Sequence, residues 1–301
     1  MNRLSPLILV VLVAACADLP EASDPFAGFQ KVKKASTGPR IRAIVSDVDT
    51  PSYQNKENDK NFALVVGIER YSSIPQADYA ERDASSVRRH LLAMGYPDRN
   101  VILITGKEAG RAGIEKYIES WLPRNVDENS KVFFYFSGHG APSTESGQAY
   151  LVPWDGDPQF LETTGYPVKR LYEKLGALKA KNVIVAMDAC FSGAGGHSVI
   201  ASGTRPLVGK VDVAAGLGDK LTVLAASGAD EITGGDDSQG HGIFTYFLLK
   251  ALNEKQGQAT AKSVFDVLSP KVRDAARRQN REQTPQMMAS TPELAATRLD
   301  R

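Results

Sequence analysis

The sequence predicts an α/β fold with a mostly parallel central sheet and helices on both of its faces. Short, continuously apolar segments such as 62–68 and 183–187 are typical of strands that are buried on both faces. Segments with apolar residues at helical spacing alternate with these strands along the chain, as in parallel sheets. The composition, 301 residues with 42% hydrophobic and 24% charged side chains, suits one such domain with appended segments.

The strands and helices can be assigned from these patterns in chain order. The predicted strands are 62–68, 101–104, 132–136, a short extra strand at 150–152, 183–187 and 221–226. The predicted helices are 79–94, 114–121, 168–178, 243–252 and 261–277. In the first of these helices Ala80, Ala84, Val87, Leu91 and Met94 fall on one stripe. Ligands of parallel sheets bind at the carboxyl ends of the strands, so we expect the functional residues there.

Residues 1–16 have the pattern of an export signal. Arg3 is followed by an apolar run over 7–15, which is too short for a bilayer-spanning helix of about 20 residues. The run ends in Val13-Ala14-Ala15-Cys16, which resembles the lipobox of bacterial lipoproteins. The resemblance implies lipidation of Cys16 and a place in the bacterial cell envelope, at the outer membrane or the periplasmic face. An ordinary signal peptide with a chance cysteine is the alternative.

The remaining chain divides into three parts. Residues 17–60 are rich in Asp, Pro, Ser, Lys and Gly without a sustained period, so we predict a flexible tether. Residues 61–255 hold the alternating strands and helices of the folded domain, and residues 256–301 are expected to add a C-terminal helix and a tail packed on it. The net charge is +1 and no basic block stands out, which argues against nucleic acid as a partner.

Two predicted strands end in polar, glycine-flanked tripeptides. One strand is followed by Ser137-Gly138-His139 and another by Asp188-Ala189-Cys190. Side chains of a strand point to the same side at every second residue, which places Ser137 beside His139 and Asp188 beside Cys190. If the two strands are neighbours, an imidazole and a thiol face a common cleft. The only other cysteine is Cys16, so no disulfide framework is expected.

An imidazole beside a thiol is suited to peptide cleavage. Cys190 would be the nucleophile and His139 the general acid and base. The backbone amides of Gly140 and Cys190 could form the oxyanion hole. Taken singly, a strand-end histidine is more often a satisfied polar residue and a lone cysteine is usually part of the packing. Their occurrence together at two strand ends favours catalysis.

The segments around both tips resemble those of the caspases and metacaspases. Phe133-Phe-Tyr-Phe-Ser-Gly-His-Gly140 is similar to the histidine motif of that family, and Asp188-Ala-Cys-Phe-Ser-Gly193 to its cysteine motif. The separation of 51 residues between His139 and Cys190 also agrees with the spacing of about 50 in caspases. The resemblance implies a three-layer caspase-like fold and a cysteine endopeptidase without a cofactor, acting on a peptide or protein substrate.

The resemblance also implies a substrate preference. Metacaspases have an acidic pocket whose residues match Asp83, Ser137 and Asp188, and Asp230 could lie at its rim. Two desolvated carboxylates favour a basic side chain, so we expect cleavage after Arg or Lys. No arginine stands at the positions by which animal caspases accept aspartate. The alternatives are a helix-surface carboxylate for Asp83 and a structural acceptor for Asp188.

Other features have plainer interpretations. No metal site is predicted: Asp155 matches one calcium ligand of some metacaspases, but the acidic pair that accompanies it is missing. His197 and His241 are interpreted as loop residues, because no zinc pattern surrounds them. The glycine-rich segment 195–220 carries Arg205, Lys210 and Lys220 and could be cut by the enzyme itself.

A caspase-like peptide-binding or scaffold lipoprotein without catalytic activity is the competing function. The presence of both His139 and Cys190 argues against it, because a non-catalytic relative has no chemical need for the pair.

Overall fold

Strands and helices alternate through most of the computed structural model, which describes residues 44–143, 146–191, 219–228 and 231–300. The strands are β1 (Asn61–Gly67), β2 (Val101–Thr105), β3 (Lys131–Ser137), β4 (Gly140–Pro142), β5 (Ala149–Leu151), β6 (Tyr166–Pro167), β7 (Asn182–Asp188), β8 (Leu221–Ala225), β9 (Gly235–Asp236), β10 (His241–Gly242) and β11 (Gln286–Ala289). The helices are α1 (Ala80–Ala93), α2 (Arg111–Lys116), α3 (Leu122–Asn125), α4 (Leu161–Thr164), α5 (Val168–Gly176), α6 (Ile243–Glu254), α7 (Ala261–Arg278) and α8 (Pro292–Ala295).

Six strands form the central sheet, in the order β11-β8-β7-β3-β1-β2. Five of them are parallel, and β11 joins the edge antiparallel to β8. The mostly parallel sheet predicted from the sequence is therefore confirmed. The C-terminal segment of the chain supplies this edge strand, β11.

Both faces of the sheet are covered, which explains why its strands are apolar without alternation. Ala63 and Val65 of β1 face a core shared with α1, α6 and α7. The intervening Leu64 and Val66 face a second core, shared with α2, α3 and α5. All four side chains are fully buried. The side-chain period of two thus divides each strand between two cores.

The helix predicted at 114–121 is wrong in detail. In the structure α2 ends at Lys116, a wider π turn covers Tyr117–Trp121, and α3 follows. The cause lies in Pro123 near the start of α3, because proline lacks an N–H and its ring collides with the carbonyl four residues earlier. Widening the preceding turn relieves that collision without ending the helical stretch.

Residues 44–60, here called the strap, pack against α1 although they fall within the segment predicted as a tether. Val48 and Tyr53 are buried in the core under α1 and α6. His90 of α1 bonds both of them, with its Nδ1 3.0 Å from the Tyr53 hydroxyl and its Nε2 2.9 Å from the Val48 carbonyl. Two apolar side chains spaced among polar ones gave no periodic signal, so composition alone favoured a tether. Among the described helices, none is both long and apolar enough for a membrane span.

Candidate active site

The carboxyl ends of β3 and β7 lie side by side, because these strands are parallel neighbours in the sheet. Ser137 and Asp188, the last residue of each strand, are paired in the register. The contact continues beyond the strands, where the Gly138 amide donates to the Asp188 carbonyl at 3.3 Å. A Cβ atom built on Gly140 would overlap the carbonyl oxygen of Cys190. The structure thus brings the histidine tip and the cysteine tip together.

The thiol of Cys190 is held by a residue that the sequence did not single out. The amide of Thr233 donates to Sγ at 2.7 Å, and the Thr233 hydroxyl lies 2.9 Å from the same sulfur. Cys190 is fully buried. A hydrogen-bond donor directed at a sulfur stabilises its negatively charged form, which is the nucleophilic one.

The imidazole of His139 is oriented from the segment that follows β1. Its Nε2 lies 2.8 Å from the Pro75 carbonyl, and because a carbonyl only accepts, Nε2 carries the hydrogen. The ring packs against Tyr71, with 4.8 Å between ring centroids. The Tyr71 hydroxyl also accepts a bond of 2.7 Å from the His139 amide. Neither Tyr71 nor Pro75 gave a sequence signal, since both lie in a loop that only the fold brings to His139.

The three residues of the predicted acidic pocket, Asp83, Ser137 and Asp188, lie close together at the carboxyl ends of β3 and β7. Ser137 donates to Asp83 Oδ2 at 3.4 Å. Asp188 Oδ2 accepts from the Thr245 amide at 3.2 Å and from the Thr245 hydroxyl at 2.7 Å. Asp83 and Asp188 are each 1% exposed. Asp83 is therefore a buried residue of α1, not a surface carboxylate of that helix.

Both carboxylates sit at the N-terminus of α6. The amide of Gly242, just before the helix, donates to Asp83 Oδ2 at 3.1 Å. The amide of Thr245, in the first turn of the helix, donates to Asp188 Oδ2. The N-terminal amides of a helix carry partial positive charge and favour anions. A Cβ atom on Gly242 would overlap Asp188 Oδ2 and lie 3.0 Å from Asp83 Oδ2. Only glycine therefore leaves room for both acids.

The acids differ in how their oxygens are satisfied. Asp188 Oδ1 is buried and has no hydrogen-bond partner among the described residues. Burial, and then the charge of Asp83, raise the pKa of Asp188 to about 7. Burial also raises the pKa of Asp83, but its bonds with His241, Gly242 and Ser137 act against this rise. Asp188 is the acid with an oxygen to offer to a ligand.

The interpretation of His241 as a loop residue is wrong. It lies in β10, is fully buried, and bridges two carboxylates. Its Nδ1 is 2.6 Å from Asp83 Oδ1, and its Nε2 is 3.2 Å from Asp49 Oδ1 in the strap. Burial acts to raise the pKa of Asp49, but the hydrogen bond from Arg82 and further contacts hold it at about 2. A histidine following a glycine in an unstructured-looking stretch gives no sign of such a bridge.

An arginine also approaches the site, although none stands at the positions compared with caspases. Arg281, which follows α7, lies against the Gly234–Gly235 backbone beside Thr233. Its positive charge lowers the pKa of Asp188 in part, and the charge of Asp188 acts on Arg281 in return. Sequence reasoning missed Arg281 because it stands 91 residues beyond Cys190 and 142 beyond His139.

Some predicted residues take no part in this geometry. Asp230, Cys16, Arg205 and Lys210 lie outside the described residues. Asp155 accepts from the Arg111 amide at 2.8 Å, a structural role. Within the described ranges no three His, Cys, Asp or Glu side chains form a group that could hold a metal ion.

Comparison with known proteins assigns most of the chain to a family. The profile described as Caspase domain matches residues 60–295. Over 153 residues the chain is 28% identical to a probable protease of a Desulfuromonadales bacterium, covering 44% of the chain and 18% of that protein. Over 156 residues it is 24% identical to metacaspase-1 of Candida albicans, covering 47% of the chain and 35% of that protein. The matches thus span well under half of both curated relatives.

Solved structures show the same fold at low sequence identity. A Geobacter sulfurreducens protein superposes with a TM-score of 0.59 at 18% identity, over 80% of this chain and 98% of that one. Caspase-1 of Spodoptera frugiperda superposes with a TM-score of 0.54 at 15% identity, over 79% of this chain and 89% of that one.

Replacing Asp188 by asparagine is expected to stabilise the protein, and more so at high pH. The raised pKa means that folded Asp188 keeps its proton up to about pH 7, whereas the unfolded chain releases it near pH 4. Ionisation of Asp188 therefore costs stability as the pH rises across this interval. We expect Asp188→Asn to raise the melting temperature at pH 8 by several degrees more than at pH 5, measured by calorimetry.

Asp237→Asn is the matched control, because it removes a nearby but exposed carboxylate. An equal effect of Asp188→Asn at both pH values would contradict the assignment of a buried, destabilising charge.

Proposed function

The chain belongs to the caspase domain family, and from this membership we propose that it is a cysteine endopeptidase cleaving after Arg or Lys. Cys190 is the nucleophile and His139 the general acid and base. The observation that carries the proposal is the adjacency of the two strand tips, which sets Gly140 against the backbone of Cys190. The Thr233 amide at Sγ supports a thiolate.

The reaction follows from the groups at the tips. The thiol proton of Cys190 moves to Nδ1 of His139, and Sγ attacks the scissile carbonyl carbon and forms a C–S bond while negative charge develops on the oxygen. The amides of Gly140 and Cys190 would stabilise that oxyanion, each by about 2.7–4 kcal/mol. His139 then gives a proton to the leaving amine as the C–N bond breaks. Because Nε2 is bound to Pro75, this proton moves through Nδ1.

A water molecule completes the cycle. His139 accepts a proton from the water, which attacks the thioester. The C–S bond breaks, the carboxylic acid product leaves and ionises in solvent, and the thiolate is restored beside protonated His139. Cys190 and His139 are 0% and 1% exposed in this structure. A substrate can therefore reach these two side chains only after neighbouring residues move away from them.

The preference for basic residues rests on Asp188. Its Oδ1 has no partner among the described residues, whereas each oxygen of Asp83 accepts bonds from the chain itself. A guanidinium or ammonium group would satisfy Oδ1 and neutralise a buried charge. Asp83 and Ser137 would line the same pocket next to Asp188. Asp230 remains a proposed rim residue outside the described residues.

Cys190→Ala and His139→Ala are each expected to lower kcat/KM by at least about a thousandfold, because nucleophile and proton carrier act as a unit. Hydrolysis of fluorogenic peptides by the purified protein measures this loss, and melting temperatures verify folding. Cys16→Ser is the control and should retain hydrolysis. Peptide binding without hydrolysis by the unaltered protein would instead support the non-catalytic peptide-binding or scaffold function.

Asp188→Asn is expected to raise KM for peptides ending in Arg or Lys by about tenfold or more, since a charge-assisted hydrogen bond is lost. In the unaltered protein KM for these peptides should fall as the pH rises through about 7, because Asp188 then ionises. The variant should lack that dependence, and Asp237→Asn should keep it. An unchanged preference for Arg over Asp peptides in Asp188→Asn would remove this residue from the pocket.

We further propose that Cys16 anchors the protein to the bacterial cell envelope through a lipid. The lipobox-like Val13-Ala14-Ala15-Cys16 supports this proposal. Fractionation of cells and labelling with a fatty-acid analogue should find the protein lipidated and in the membrane fraction. Cys16→Ser should release it, and membrane association that survives this change would refute the anchor.

A further inference from the structure

The positively charged side chain of Arg281 lies close to Thr233, the residue that contacts the thiol, and it forms no ion pair with an acidic side chain of the described residues. Arg281 Nη2 donates to the Gly235 carbonyl at 3.4 Å and to the neutral side chain of Gln279. Nε of Arg281 is buried and finds no hydrogen-bond partner in the part of the chain that the structure describes. Within the described residues, no carboxylate lies within ion-pair distance of this guanidinium.

The position of Arg281 is fixed relative to Cys190. The guanidinium rests on Gly234, where a Cβ atom would overlap it. Gly234 directly follows Thr233, whose amide contacts the sulfur. Gln283 holds the segment after Arg281 in place, since its Oε1 accepts from the Gly234 amide at 3.3 Å and its Nε2 donates to the Ala226 carbonyl at 3.2 Å. The Arg281 guanidinium is therefore held in a fixed position relative to Thr233, and through Thr233 relative to the sulfur of Cys190.

A partly buried guanidinium with an unbonded N–H lowers the stability of the fold unless a ligand supplies the missing acceptor. Burial lowers the pKa of Arg281, and the negative charges of Cys190, Asp188 and Asp237 oppose this effect from a distance. Arg281 is partly buried, and its Nε–H has no acceptor among the described residues, which is unfavourable until a ligand supplies one. The ligand for a guanidinium is an anion, and a carboxylate matches its geometry.

Two incompletely bonded groups of opposite charge thus lie near Cys190. Asp188, two residues before it, has Oδ1 unbonded among the described residues, and Arg281, packed on Gly234 next to Thr233, has Nε unbonded among the same residues. Together they suit a substrate that carries both charges near the scissile bond.

We propose that Arg281 is a specificity-determining residue that binds an acidic side chain of the substrate, close to the scissile bond and separate from the Arg or Lys held by Asp188. This inference rests on the proposed function and narrows its substrate class. The preferred peptides carry a basic residue at the cleavage point and an Asp or Glu within a few positions of it.

The test compares peptide pairs that differ only in Glu against Gln at single positions around a constant arginine. For the unaltered protein we expect kcat/KM to be about tenfold or more higher with Glu at one position, as a charge-assisted contact implies. Arg281→Gln should abolish that preference. Arg278→Gln, at the exposed end of α7, is the matched control and should retain it.

Gly234→Ala offers a second perturbation, because the added methyl group displaces the guanidinium and keeps its charge. It should also weaken the preference for Glu, and it decides the matter if Arg281→Gln does not fold. The proposal is overturned if the unaltered protein shows no preference for Glu, or if Arg281→Gln retains it. An equal gain on all arginine peptides in Arg281→Gln would also overturn it, since Arg281 would then compete with substrate for Asp188.

A binding experiment distinguishes failure of the anionic subsite from failure of the proposed peptidase activity. Binding of the same peptide pairs to Cys190→Ala, followed by fluorescence anisotropy, does not need hydrolysis. Absence of cleavage after Arg or Lys with binding that depends on Glu and Arg281 would refute the endopeptidase and keep the anionic subsite. Binding that is indifferent to Glu refutes the subsite whatever the activity.

Discussion

The burial of two carboxylates at the start of α6 is the constraint on which the site depends. Asp83 arrives from α1 and Asp188 from the end of β7, and the missing side chain of Gly242 lets both reach the same helix terminus. Amides of α6 offset part of the cost of removing these charges from water. The contact fixes where β7 ends, and with it the position of Cys190 two residues later.

The charges around this pair form a connected arrangement. His241, which also contacts Asp49 of the strap, bonds Asp83 together with Gly242 and Ser137, so that the Asp83 carboxylate is occupied by the protein's own groups. Asp188 is left with one oxygen unsatisfied and a pKa raised to about 7. In the proposed function the same oxygen would bind a basic side chain of the substrate. Substrate binding and fold stability would then place opposite demands on Asp188.

The sequence predicted the parts of the fold that follow from local periodicity. Strand β3, expected at 132–136, and helix α7, expected at 261–277, differ from the structure by only one or two residues at their ends. The tips carrying His139 and Cys190 were also identifiable, because a strand end in a parallel sheet has a defined place. The grouping of Asp83, Ser137 and Asp188 was expected from the resemblance to metacaspases, and the structure brings these three residues together.

Residues brought in by distant segments gave no such signal. Thr233 reaches the sulfur and Arg281 reaches Gly234 only because β8 and β11 pair at the sheet edge, which no periodicity encodes. His241 became informative only once Asp49 and Asp83 were seen on either side of it. The strap was missed because two buried side chains in a polar stretch resemble a tether.

The most direct measurement is the site of covalent labelling by a peptidyl chloromethyl ketone that ends in arginine, compared with the same reagent ending in aspartate. Mass spectrometry of the digested protein locates the adduct. We expect modification of Cys190, faster with the arginine reagent, and slower labelling in His139→Ala. An adduct on another residue, or faster reaction with the aspartate reagent, would contradict a basic-residue-specific thiol at the meeting point of β3 and β7.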